Sequence, residues 1–240
     1  MKPHYLAAFF AGLALAPAYS GQSPVLVELF TSQGCSSCPP AEDWLNKEGM
    51  GWFKQGKILP LAFHVDYWNY LGWKDPFSSG DFTERQRVYA QAFASDFLYT
   101  PEIVVGGRVG FVGSDASRVR EEIGEARKTM AGALQLKKVS HGKEMEITLP
   151  PGLPKQGVKL YLAVFENGLT TQVERGENAG RILTENFVVR RLVEIPFKSP
   201  PLRTVLPQVG EGDAANLGVA VFAQDAAMKI LAAGCLYPLN

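Results

Sequence analysis

Residues 24–40 read PVLVELFTSQGCSSCPP, and the fold class follows from how that run changes character along its length. Pro24 to Phe30 is apolar and β-branched, the pattern of a strand buried on both faces. Thr31 to Gly34 is a polar turn, and Ser36-Ser37 then separates Cys35 from Cys38. Pro39-Pro40-Ala-Glu-Asp begins a helix. Proline costs nothing in a first turn whose N–H groups lack intrahelical partners, and acids there suit the helix's positive end. A thiol placed between a buried strand and a helix start has its pKa lowered from about 8.5 toward neutrality or below. Thiolate is the species that attacks a disulfide, so Cys35 has the position of a nucleophile and Cys38, one turn further in, that of the resolving thiol.

Working outward, Ile58–Val65 is a second buried strand and Ser79–Phe97 a helix with Phe82, Val88, Ala92 and Phe93 on one side. Tyr99-Thr100-Pro101 interrupts. Glu102–Val105 and Arg108–Val112 are strands joined by the Gly106-Gly107 turn, and Asp115–Thr129 is a charged helix. Strand–helix–strand units predict parallel pairing followed by an antiparallel edge hairpin. Beyond about Ala133 the texture changes to short alternating runs punctuated by Gly and Pro: 134–139, 145–149, 158–165, 186–195, 217–224 and 228–235. These predict an all-β sandwich-like domain. The expected organisation is a signal segment at 1–20, an α/β domain at 23–131 and a β-sandwich domain at 132–240.

The signal segment is read from one lysine before the apolar run YLAAFFAGLALA at 5–16, followed by the small residues of Ala18-Tyr19-Ser20. The run is too short to span a bilayer and has the layout of a cleaved export signal, so the mature chain is expected in the periplasm or outside the cell. Lys+Arg and Asp+Glu number 24 each. That balance offers no long-range field for nucleic acid or an anionic membrane, which sets both aside as partners. Only three cysteines occur in 240 residues. Stapled secreted domains are small and spread an even number along the chain, so an adjacent pair with Cys235 left over is better explained by reactivity. Zinc would want a second pair at a standard spacing, and none is present.

The run VELFTSQGCSSCP resembles the strand–CxxCP–helix of the thioredoxin superfamily, and Tyr99-Thr100-Pro101 resembles its cis-proline loop. The resemblance implies a thioredoxin-like fold for 23–131. It makes Thr100 and Pro101 site residues beside the cysteine pair and implies thiol–disulfide oxidoreductase activity on exported thiols or disulfides. More narrowly, TSQGCSSCPPAE, HVDYWNYLGWKDPF, YTPEIVVGGR and GENAGR resemble an uncharacterised bacterial family of exported proteins over nearly the whole mature chain. The strand acid of thioredoxins has a counterpart in Glu28 as a proton-handling group. However, Glu28 lies one residue further from the first cysteine, an offset that turns a strand side chain to the other face unless a bulge intervenes.

The segment from His64 to Trp73 follows the second strand and carries Tyr67, Trp68, Tyr70 and Trp73. On the rim that holds the cysteines, His64, Asp66, Trp68 and Trp73 form either a substrate platform or a structural aromatic cluster. Cys235 reads as a buried small hydrophobe, and GENAGR at 176–181 as an ordered inter-strand loop or a contact with the first domain. Three function classes remain. One is an oxidoreductase without cofactor, and another a Cu(I) chaperone using Cys35, Cys38 and His64. The third is a binding module with a static disulfide.

Overall fold

The computed structural model describes residues 21–139, 143–197, 202–210 and 215–239; the expected signal segment lies outside them. β1 (Val25–Thr31) is buried at every position and runs into the cysteine turn. α1 (Pro39–Trp44) opens with its prolines at the first two helical positions. It continues through one wide π turn at Leu45–Gly49 into α2 (Met50–Lys54). β2 (Ile58–His64) lies parallel to β1 in unbroken register, from Val25 opposite Ile58 to Thr31 opposite His64. α3 (Gly80–Ala92) starts where Ser79 caps it, its side-chain oxygen accepting from the Asp81 N–H. β3 (Glu102–Val105) and β4 (Val109–Val112) then form a hairpin, and α4 (Ala116–Arg127) closes this half.

One pairing differs from the sequence expectation. β3 lies against β1 antiparallel, not parallel. The thirteen residues of α3 carry the chain down the sheet by about 20 Å, and the non-helical segment 93–101 brings it back to the rim where it started. β3 therefore begins beside the cysteines, and Thr100 and Pro101 sit at that end for the same reason.

The second half is β-rich, as its alternating runs suggest. It contains β5 (Gln135–Val139), β6 (Glu144–Thr148), β7 (Val158–Glu166), β8 (Leu169–Gln172) and β9 (Ile182–Glu185). β10 (Val188–Ile195), β11 (Leu202–Val205), β12 (Leu217–Asp225) and β13 (Ile230–Leu236) complete it. Some of its strands also join those of the first half. A single eight-stranded sheet runs β13-β12-β7-β10-β2-β1-β3-β4, so the division expected at 131/132 is not a division of the sheet. β2 would otherwise be an edge with unpaired backbone, and β10 closes it: Val188 pairs with Ala62, and the Ala62 N–H donates to the Phe187 carbonyl at 2.8 Å. The sandwich-like part is local. Leu160, Leu162 and Val164 of β7, with Val219 and Val221 of β12, face Met145, Ile147 and Leu202 of the small β11-β6-β5 sheet. The alternate residues Tyr161, Ala163, Phe165, Ala220 and Phe222 face the main core. Cys235 lies buried on β13 opposite Ala220 and takes no part in the disulfide.

Candidate functional site

Cys35 and Cys38 are joined as a disulfide with Cα atoms 5.5 Å apart. The turn that carries them is made by backbone bonds, Cys35 N–H to Ser32 O at 3.1 Å and Cys38 N–H to Cys35 O at 3.3 Å. The Cys38 carbonyl then accepts from Ala41 and Glu42, so helix hydrogen bonding starts at the second cysteine. Opposite stands the start of β3, where the Thr100–Pro101 peptide is cis. The Thr100 carbonyl oxygen lies 3.6 Å from Cys35 Sγ and accepts from the Ser37 hydroxyl at 3.3 Å. That hydroxyl is also 3.3 Å from Cys35 Sγ. Ser37 can therefore donate to either atom. Both cysteines are 0% exposed, whereas Ser36 and Ser37 between them are exposed.

The aromatic segment packs on this turn. Trp68 donates its indole N–H to Thr100 Oγ1 at 2.8 Å, and its Cβ stands where a side chain on Gly34 would have to go. Trp73 donates to Gln33 Oε1 at 3.0 Å. Asp66 is turned away, bound to the Thr83 hydroxyl at 2.6 Å at the start of α3. Tyr70 is 78% exposed.

The two faces of β1 and β2 carry two different buried polar networks. Thr31 and His64, paired in register, share the α1 face. There Thr31 donates to Glu42 of α1, and His64 Nδ1 lies 2.7 Å from Asp75 Oδ2. The same Asp75 oxygen accepts from the Gln33 N–H at 2.8 Å, which ties the imidazole to the residue two before Cys35. His64 Nε2 faces Glu185 Oε1 across 3.8 Å, and neither atom has a hydrogen-bond partner. Burial pushes the His64 imidazole down, but the charges of Asp75 and Glu185 outweigh it and raise it to about 9. Burial raises Glu185 to about 7 against the pull of His64, and raises Glu42 as well. Burial would raise Asp75 too; His64 and the backbone N–H groups of Gln33 and Phe77 hold it below its ordinary value.

Glu28 lies on the α3 face. Arg85 Nε donates to it at 2.6 Å and the Tyr89 hydroxyl donates to its other oxygen. The guanidinium sits between the rings of Phe63, Tyr89, Tyr161 and Phe222. Nearby, burial raises Glu102 to about 7 while Gln86 donates to it at 2.8 Å. No bulge interrupts β1, so the one-residue offset does turn Glu28 away from α1 and the cysteine turn. Leu29 points to the α1 side instead, beside Ala41 and Pro101 at the place a side chain on Gly113 would fill. The expected proton-handling acid is thus the partner of a buried arginine.

A family model described as a protein of unknown function, DUF1223, matches residues 26–224. The chain belongs to this family. Among solved structures, protein AGR_C_4864 of Agrobacterium tumefaciens is similar, with 29% identity and a TM-score of 0.70 over 90% of this chain and 94% of that one. HBP35 of Porphyromonas gingivalis shares the fold at 14% identity and a TM-score of 0.55, over 90% of this chain and 75% of that one. None of the curated proteins matches.

Of the residues expected at the site, Cys35, Cys38, Thr100, Pro101, Trp68 and Trp73 come together. His64 reaches the turn only through Asp75 and Gln33; neither ring nitrogen is bonded to a sulfur. Among the described residues no group of three or more His, Cys, Asp and Glu is arranged to hold a metal ion. Asn178 lies in the GENAGR run, for which a contact with the first domain is one of the two sequence readings; Asp75, Glu185 and Gln33 were not singled out from the sequence. Each is an isolated polar residue in a loop or on a short strand, and what makes it part of the site is a partner far along the chain.

Proposed function

We propose that this chain is an exported thiol–disulfide oxidoreductase with a thioredoxin-like site, in which Cys35 is the nucleophile and Cys38 the resolving thiol. The observation that carries the reading is the closed Cys35–Cys38 pair at a helix start, with the Ser37 hydroxyl and the Thr100 carbonyl against Cys35 Sγ. In the reduced protein the Cys35 thiolate attacks a partner disulfide. One partner sulfur leaves as a thiolate and takes up a proton, and a mixed disulfide forms. Cys38, losing its proton, attacks Cys35 Sγ and expels the second partner sulfur, which is protonated in turn. The partner is reduced by two electrons and the pair is restored; the reverse sequence oxidises a dithiol. A stable disulfide also fits an oxidising compartment such as the periplasm.

The test is a trap. Cys38→Ser should accumulate mixed disulfides through Cys35, and reduced wild-type protein should be alkylated at Cys35 well below the pH that free cysteine needs. Equal, slow labelling of both thiols at neutral pH would sink the reading. One observation favours a static disulfide instead, namely that neither sulfur is exposed; the lability of whatever covers the pair then separates the two.

A further inference from the structure

The turn that carries the disulfide is bonded by a segment some 140 residues away in sequence. Among the described residues β8 and β9 pair only with each other and take no place in the larger sheets. The loop at their tip holds its own shape. Gly180 N–H donates to Val173 O at 2.8 Å, Arg181 N–H to Asn178 O at 3.1 Å, and the Arg181 guanidinium to Asn178 Oδ1 at 3.0 Å. That last bond fixes which way the Asn178 amide points. Its nitrogen donates to the carbonyls of Gln33 and Cys35, each at 2.9 Å, and the residue is buried. At the rim the exposed Glu177 uses one oxygen, Oε2, to accept from both the Ser36 N–H at 3.0 Å and the Ser36 hydroxyl at 2.7 Å. The base of the hairpin is anchored separately: Glu185 accepts from Gln33 Nε2 at 2.8 Å, and Asn46 donates to the Thr184 carbonyl at 2.7 Å.

We propose that the β8–β9 hairpin is a lid over the reactive pair. Asn178 is the positioning residue that holds the Cys35 backbone, Glu177 is the latch at the rim, and exchange at Cys35 waits for the tip to lift. This rests on the oxidoreductase reading. A thiol–disulfide exchange needs the incoming sulfur in contact with one of the pair, and both cysteines are 0% exposed in the structure, where the tip is bonded to their turn. Lifting the tip breaks the hydrogen bonds of two side chains and leaves the anchors at the base, the buried Gln33–Glu185 bond and the exposed Asn46–Thr184 bond, in place. That is the profile of a local opening rather than of global unfolding.

The experiment measures the reduction of the intact protein by dithiothreitol. One dithiothreitol thiolate attacks a protein sulfur, and the departing sulfur is protonated. The second dithiothreitol thiol, losing its proton, closes a cyclic disulfide and expels the other protein sulfur, which is protonated in turn. Two electrons pass to the protein. Removing the latch with Glu177→Ala should raise the rate roughly threefold, since an exposed charged contact is weak. Asn178→Ala should raise it roughly tenfold, since it frees two backbone acceptors. Glu177→Gln, which keeps the acceptor oxygen, should stay near wild type, and circular dichroism at each point confirms a folded chain. A lid also slows reoxidation, so reoxidation of the reduced variants by oxidised glutathione should speed up as well. Wild-type rates in both alanine variants would overturn the lid, as would faster reduction with proportionately slower reoxidation, which marks a changed potential. These rates do not depend on the enzymatic reading. Faster variants whose Cys38→Ser form traps no partner would keep the lid and remove the oxidoreductase; unchanged rates with trapped partners would do the reverse.

Discussion

Raising the pH from 7 to 9 should remove roughly 2 kcal/mol of folding stability, and His64 is the group chiefly responsible. The imidazole is buried with Asp75 at 2.7 Å and Glu185 at 3.8 Å, and these carboxylates hold it protonated up to about 9. In the unfolded chain it titrates near its ordinary 6.5. A group whose folded pKa is raised contributes stability that is complete below the unfolded value and is lost as the pH climbs through the folded one. Between those limits the loss approaches about 1.4 kcal/mol per pH unit. Glu185 and Glu102, raised by burial to about 7, act with the same sign but between 4.5 and 7. Asp75, held low, acts only in acid and with the opposite sign. Above 7 the histidine is the largest contributor, with the tails of Glu185 and Glu102 and the burial-raised Glu42 adding in the same direction. Urea unfolding followed by tryptophan fluorescence, with the disulfide intact, at pH 7, 8 and 9 gives the slope. His64→Gln keeps a donor toward Asp75 but cannot titrate, so its stability should fall less steeply over the same range, the remaining slope coming from the burial-raised Glu185 and Glu42. A flat wild-type curve, or a variant with the wild-type slope, would refute the claim that a charged imidazole sits in this cluster.

Two further expectations concern the scaffold. Arg85→Met leaves the Glu28 carboxylate buried among aromatic rings with only the Tyr89 hydroxyl. Equilibrium unfolding should show a loss of about 3–5 kcal/mol, and a loss under about 1 kcal/mol would mean that Glu28 does not need its cation. Gly107 turns β3 into β4 at φ +64, and a Cβ there would run into the Met228 carbonyl oxygen. Gly107→Ala should therefore lower the melting temperature, by about 2 kcal/mol or more of stability. An unchanged melting temperature would show that the contact between the β3–β4 turn and the start of β13 carries no weight.

Much of the first half was legible because its signals are local. A buried strand, a turn with two cysteines and a proline-led helix lie within seventeen consecutive residues, and hydrophobic period and helix-start chemistry read such runs directly. Thr100 and Pro101 were reached differently, through the resemblance of Tyr99-Thr100-Pro101 to a cis-proline loop. The short strands β8, β9 and β11 were missed; each has four residues like β3 and β4, but no Gly-Gly turn marks them out as Gly106-Gly107 marks that hairpin. Glu42 was legible as a helix-start acid but not as the buried partner of Thr31.

By itself the sequence determined the order of the elements in the first half, the β-rich character of the second, and which cysteines form the pair, since all of these depend on neighbours within a few residues. Only the tertiary structure decided that β3 runs antiparallel, because that depends on where a helix and its return segment leave the chain. It alone decided that Glu28 faces Arg85 while His64 faces Asp75. Side chains alternate along a strand, but which face receives which helix is a property of the whole sheet. The joining of both halves through β10, and the arrival of Glu177 and Asn178 on the cysteine turn, belong to the same class. Each is a hydrogen-bond partnership between residues more than a hundred positions apart, formed because an exposed strand edge and two buried carbonyls had to find donors and acceptors somewhere in the fold.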